Sequence, residues 1–453
     1  MITKKRSSAS HHLFARCFAT FVPPFRHSIV RAVYIGALVG FWLAFGIIML
    51  YEAFLYFPWN TVDFAQHYFL GKWVNQGNPV TDARWPYETG IQWMEWMYSV
   101  IPYLPYQPLL LPLMRLLATL PYPVAASVWL GGAIFTWWVL ARPLATSLGW
   151  PTTCVRLSFL CFPLAWFPLY FGNVDIYLSS ITIGAVLLFQ RGRPLWSGFL
   201  WGWIGAFKPP LFFGALPGLR SNPRPFLSGV VLGGLNALGV AYFAVGPEGL
   251  LFFGRHFSEY SRETFLQLLA INASLVAWLA AWGGPITPSS RPFFNLQWPV
   301  YLLAFLLGTL FLFLTFWVWY RQHTTKSTLW IEEGLWLSVG FIVVPITWFQ
   351  YFIYLLAPLL YLSKIIPRCA HRPIKILWFT FLLLLVIPTG KLLPPTQQPF
   401  RTPALIMGTM YMGAWLFFVY TAHHIGNRLR EHDLLAHHTP SNTSQTAPQN
   451  VQH

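Results

Sequence analysis

Gln297-Trp-Pro-Val-Tyr-Leu-Leu-Ala-Phe-Leu-Leu-Gly-Thr-Leu-Phe-Leu-Phe-Leu-Thr-Phe-Trp-Val-Trp-Tyr320 carries no charged residue. About 20 apolar residues let a helix cross the hydrocarbon core of a bilayer, so this stretch reads as a membrane span. The chain around it has the same character. Apolar residues make up 56% of it and charged residues 9%, with a mean hydropathy of +0.51, whereas soluble domains carry about 25% charged residues. Further apolar segments lie near 32–51, 123–141, 154–171, 174–190, 195–219 (broken at Lys208-Pro-Pro210), 226–245, 264–283, 330–347, 349–366, 374–390 and 403–422. The expected fold is all-α: a polytopic integral membrane protein, a helical bundle with about 10–13 transmembrane helices and external juxtamembrane helices.

The net charge of +16 does not point to nucleic acid, because the basic residues form short clusters between apolar segments instead of one continuous face. If Arg142/Arg156, Arg191/Arg193, Arg220/Arg224, Arg321/Lys326, Lys364 to Lys375 and Arg428/Arg430 face the cytoplasm with the N-terminus, 20 of the 29 Lys and Arg lie inside. That bias is the positive-inside pattern and fixes the orientation. Residues 1–30 are then a cytoplasmic basic tail and 31–425 the transmembrane domain, with 52–96 as the first external loop. Residues 426–453 form a polar, disordered cytoplasmic tail. The expected location is the bacterial plasma membrane, with both termini in the cytoplasm. Cys17, Cys154, Cys161 and Cys369 show no ligand spacing and read as packing residues, not disulfides.

Asn60-Thr-Val-Asp63-Phe-Ala-Gln-His67-Tyr68-Phe-Leu-Gly-Lys72-Trp73-Val-Asn-Gln-Gly77-Asn-Pro79 follows the first apolar segment and holds one of only four aspartates. Thr61 or Asn60 caps a short amphipathic helix here, and Gly77-Asn-Pro79 ends it. Under the same topology Asn173, Asp175, Lys208, Arg255, His256, Asn272, Trp348, Gln350 and Tyr351 fall on the same external side. Ionisable groups near membrane depth are costly, so their convergence implies a cavity. Each also has an ordinary reading. Asn173 and Asp175 serve as helix caps, Lys208 as a snorkelling anchor, Arg255 as a headgroup contact, and Trp348 and Tyr351 as aromatic-belt residues. His67, one turn after Asp63, reads better as a local hydrogen-bond partner than as a base.

Together these motifs resemble the GT-C class of membrane glycosyltransferases, and within it glycosyltransferase family 87, the polyprenyl-phosphate-mannose-dependent mannosyltransferase type. The aspartate motif after the first span is matched by Asp63, Tyr68, Gly77 and Pro79, with Val80 where tyrosine is usual. The Y-x-P element is matched by Tyr103-Leu-Pro105 and Tyr106-Gln-Pro108. The G-Q-x-[ND] turn reads Gly172-Asn173-Val-Asp175, the short-helix lysine matches Lys208, and N-x-S-L matches Asn272-Ala-Ser-Leu275. One element departs: S-P-x-S-W-x-H-H becomes Val344-Pro-Ile-Thr-Trp348-Phe-Gln350-Tyr351, without either histidine.

The resemblance implies a GT-C-like bundle and an inverting transfer of a hexose, mannose above others. The sugar passes from a polyprenyl-phosphate donor to a lipid or glycan acceptor on the external face. Asp63 would be the base that takes the acceptor's proton. His67, Tyr68, Tyr106, Asn173, Asp175, Lys208, Arg255, His256, Asn272, Trp348, Gln350 and Tyr351 would bind substrate. No cofactor is expected and no metal site is read, since D-x-D is absent from the sequence. Membrane lipids are the remaining partner. A lipid-linked sugar flippase or transporter and a non-catalytic assembly protein stay open as alternatives.

Overall fold

The computed structural model of the protein describes residues 61–82, 107–161, 168–262, 274–282, 298–321, 328–344, 347, 349–386 and 401–424. Both expected tails, the first span near 32–51 and the proline-broken stretch before residue 107 lie outside the described residues. Regular structure among the described residues is helical throughout, as an all-α chain requires. Three helices are long and apolar enough to cross a membrane: Tyr122–Leu148, Pro223–His256 and Pro299–Tyr320. Gln107–Leu117, Asp175–Gln190 and Tyr351–Pro367 are shorter apolar helices. The long helices turn large apolar side chains outward, among them Phe135, Trp138, Leu235, Phe243 and Phe313. On a soluble protein such surface would aggregate, whereas lipid solvates it.

We number the helices used below in chain order: α1 Val62–Asn75, α2 Gln107–Leu117, α3 Tyr122–Leu148, α4 Thr152–Cys161, α5 Asp175–Gln190 and α6 Pro194–Phe207. A 3-10 turn over Pro209–Ala215 and α7 Leu216–Ser221 follow, then α8 Pro223–Arg262, α9 Leu275–Trp282, α10 Trp298–Tyr320 and α11 Leu329–Val343. A second 3-10 turn, Phe349–Leu355, leads into α12 Leu356–Cys369, α13 Arg372–Val386 and α14 Arg401–His424.

The expected hairpin at 195–219 forms because Pro209 forbids the helical conformation to the residue before it. Lys208 accordingly sits extended at φ −142°, ψ 93° at the end of α6. Lipid is as apolar as leucine, so helices in a bilayer associate through close packing and not through hydrophobic burial. α6 and α8 meet this condition with two glycine pairs. A methyl group at Gly198 or Gly202 would strike the Phe226 or Val230 carbonyl oxygen, and one at Gly229 or Gly233 those of Leu195 or Phe199. At the end of α10, Arg220 donates to the Trp319 and Tyr320 carbonyls, while Glu332 accepts from Trp319 and Thr328.

Several boundaries differ from the sequence reading. The expected external loop from Glu248 onward is helical up to Arg262, because Gly246 (φ 68°) kinks α8 and Pro247 opens the continuing helix, a position where proline is pre-organised. Helix α3 runs on through Arg142-Pro143 to a left-handed Gly149, so its charged end lies inside the helix. The expected span at 154–171 is described as α4 and a helical turn at 168–170, with 162–167 outside the described residues. Cys154 is disulfide-bonded, against its reading as a packing residue.

Candidate active site

Helix α1 starts where expected but by another device. Thr61 makes no capping bond. Its hydroxyl pairs with that of Tyr122 at 2.7 Å. The first amides of α1 are satisfied from outside: Asp63 N and Phe64 N both donate to the Phe171 carbonyl, at 2.9 and 3.3 Å. Nor is the helix amphipathic, since Phe64, Ala65, Gln66, His67, Tyr68, Leu70 and Trp73 are all buried. It ends at Asn75 before Gly77 (φ 86°), as the Gly-Asn-Pro stretch implied.

The partner of α1 is the turn ahead of α5. Gly172 holds φ 66°, and a Cβ there would lie 2.7 Å from that of Phe64. Only glycine meets both demands. Its carbonyl accepts from Trp129 Nε1 at 2.8 Å, which fixes the turn against α3. Asn173 then does two things with one amide. Its Oδ1 accepts from Asp175 N at 2.8 Å, which is a helix-capping contact. Its Nδ2 donates to Asp63 Oδ2 at 2.6 Å. The capping reading of Asn173 holds geometrically, and the same amide reaches Asp63.

Asp175 is the first residue of α5, where the helix dipole favours an anion, and it is fully buried. Its Oδ1 accepts from Lys208 Nζ and from the Tyr354 hydroxyl, each at 2.5 Å. Lys208 is 6% exposed, so it is a buried ion-pair member and not a snorkelling anchor. Its ammonium also lies 4.4 Å from the centre of the Tyr351 ring, within cation–π range. Tyr351 and Tyr354 share the second 3-10 turn, in which residues three apart eclipse. That geometry aims both rings at Lys208 and Asp175.

Asp63 is half-buried, and its Oδ1 takes no donor among the described residues. Loss of hydration raises its pKa from 3.8 to about 6, although the Asn173 bond and the Lys208 charge pull it down and Asp175 pushes it up. A carboxylate that titrates near 6 is ionised at neutral pH yet basic enough to accept a proton. His67 moves the other way, to about 3, through burial first and then Lys208. It is neutral at physiological pH and far too weak a base to compete.

The structure thus brings together Asp63, Asn173, Asp175, Lys208 and Tyr351, with His67 near enough to sense Lys208. Tyr68 is elsewhere: its hydroxyl donates to the Leu120 carbonyl at 2.7 Å, and its ring packs on Tyr122. Arg255 is exposed and His256 part-buried on α8 beyond the kink. His256 stacks on Phe252, with Nδ1 3.0 Å from the Phe252 carbonyl oxygen. Tyr106, Asn272 and Trp348 lie outside the described residues, as does the side chain of Gln350. The sequence reading missed Tyr354 and Gln66. The first was signalled only by its spacing from Tyr351. The second sits one turn after Asp63, buried, and its Oε1 has no donor among the described residues.

Comparison with known proteins gives one family. The model of glycosyltransferase family 87 matches residues 103–345, which include Asn173, Asp175 and Lys208, while Asp63, Tyr351 and Tyr354 lie beyond the matched range. No curated protein and no solved structure matches the chain. With over half its length matched and apolar helices long enough to cross a bilayer, the chain is a membrane glycosyltransferase and belongs to glycosyltransferase family 87.

Proposed function

We propose that the protein transfers a hexose, mannose by preference, with inversion from a polyprenyl-phosphate donor to a hydroxyl of a lipid or glycan acceptor. The reaction would take place on the external face of the membrane. One observation carries this reading: Asp63 presents one carboxylate oxygen held by Asn173 and a second that is not engaged among the described residues. In the reaction Asp63 takes the proton of the acceptor hydroxyl as that oxygen bonds to the anomeric carbon. The bond from that carbon to the phosphate oxygen breaks, and polyprenyl phosphate leaves with the electron pair. A phosphate leaving group needs no proton but benefits from positive charge. Lys208 would supply a fixed cation behind Asp63, and Lys72 on α1 and Arg255 on α8 are exposed cations that would add to it if they face the same side of the membrane.

The test is transfer from labelled polyprenyl-phosphate mannose, glucose and galactose by purified protein in membrane extracts. Asp63→Asn is expected to cut transfer by at least about 100-fold, the scale of a general base, with its unfolding transition unchanged. A variant that transfers at the wild-type rate removes Asp63 as the base. Donor translocation across proteoliposomes without any product would favour a flippase.

A further inference from the structure

Gln66 Oε1 and Asp175 Oδ2 are buried acceptor atoms with no donor among the described residues. Gln66 is 3% exposed and Asp175 0%. Buried polar atoms in folded proteins are nearly always paired, and an unpaired one costs about 1–3 kcal/mol. Helical spacing puts Gln66 on the face of α1 that carries Asp63 and His67. That face turns toward the start of α5, since Asn173 donates to Asp63 Oδ2 and accepts from Asp175 N, and the Lys208 charge is felt at both Asp63 and His67. The acceptor atoms here without a donor among the described residues are Gln66 Oε1, Asp175 Oδ2 and the open oxygen of Asp63. Two carboxylates repel an anion, and the Lys208 ammonium discourages a second cation. A neutral ligand rich in hydroxyl donors suits this set, and a pyranose is such a ligand.

We propose that Gln66 is a specificity-determining residue that accepts a hydrogen bond from a sugar hydroxyl bound beside Asp63, with Asp175 Oδ2 as the second acceptor of that subsite. The inference rests on the glycosyl-transfer reading above. The hydroxyl belongs to the donor sugar or to the acceptor sugar, and the experiment separates the two.

The variant is Gln66→Met, which keeps length and volume and removes the amide. A merely structural orphan replaced in this way leaves stability unchanged or improved. Gln66→Leu runs in parallel in case the thioether packs poorly. The first arm measures binding of polyprenyl-phosphate mannose, glucose and galactose, and of bare polyprenyl phosphate, to full-length protein in nanodiscs. The second measures the KM for acceptor in a lipid extract of the source membrane. One lost hydrogen bond is worth about tenfold. A roughly tenfold weaker affinity for a sugar-bearing donor, with bare polyprenyl phosphate unaffected, assigns Gln66 to the donor sugar. Unchanged donor affinity with a roughly tenfold higher KM assigns it to the acceptor. If folded variants match the wild type in both arms while the wild type transfers sugar, the Gln66 proposal is wrong and the transferase reading stands. If the wild type transfers none of the three sugars, both fall.

Discussion

Breaking the Lys208–Asp175 pair separates its structural from its chemical role. The two groups are 6% and 0% exposed and meet at 2.5 Å. Removing one partner of a buried pair strands the other charge and costs about 3–5 kcal/mol. Lys208→Met should therefore lower the unfolding free energy by that amount, with only the Tyr354 hydroxyl left on Asp175. Removing both charges, as Lys208→Met with Asp175→Asn, leaves no stranded ion, and asparagine still accepts from Tyr354. Such replacements are commonly neutral within about 1 kcal/mol. The assay is SDS-titrated unfolding in bicelles followed by tryptophan fluorescence, completed as a double-mutant cycle, with transfer measured on the same samples. Stability should return in the double variant while transfer does not: the opposing pulls of Lys208 and Asp175 on Asp63 are removed together, but the cation available to the departing phosphate is gone. A Lys208→Met protein within about 1 kcal/mol of wild type would mean the pair behaves as an exposed one, and the reasoning would fail.

Two further outcomes follow from Asp63 and Gly172. Because a folded pKa near 6 lies above the ordinary 3.8, the base is increasingly protonated below pH 6, and transfer should fall about tenfold per pH unit there. The same shift makes protonation favour the fold at this residue, so a rate loss that coincides with unfolding between pH 7 and 5 would contradict it. Gly172→Ala combines positive φ with a 2.7 Å approach to Phe64 and should destabilise by about 1–2 kcal/mol from the backbone alone. Thermal unfolding checks this, and an unchanged transition would show that the turn relaxes without cost.

Much of the site was legible because charge is rare in so apolar a chain. Asp63, Asn173, Asp175 and Lys208 stood out as polar residues at span ends, and the structure joins them by direct bonds. Uncharged groups were harder to place. Tyr68 reads as a ligand in its motif, yet a carbonyl at Leu120 claims its hydroxyl. Tyr354 was hidden because its alignment with Tyr351 depends on a 3-10 turn, and the expectation there was a plain span. Helix ends were misjudged where local signals were overridden. Gly246-Pro247 marks a break, but α8 resumes beyond it. Thr61 has the chemistry of a cap, yet Tyr122 takes its hydroxyl.

The Phe171 carbonyl, which receives the Asp63 and Phe64 amides, has a mechanical consequence. Asp63 and the amide that holds its carboxylate are mounted on the same few atoms, since Asn173 follows Phe171 by two residues. Any swing of α1 large enough to admit a lipid-borne sugar must carry this turn along with it or rupture both amide contacts. The Asp63 carboxylate and the Asn173 amide would therefore keep one mutual bearing while other parts of the molecule move.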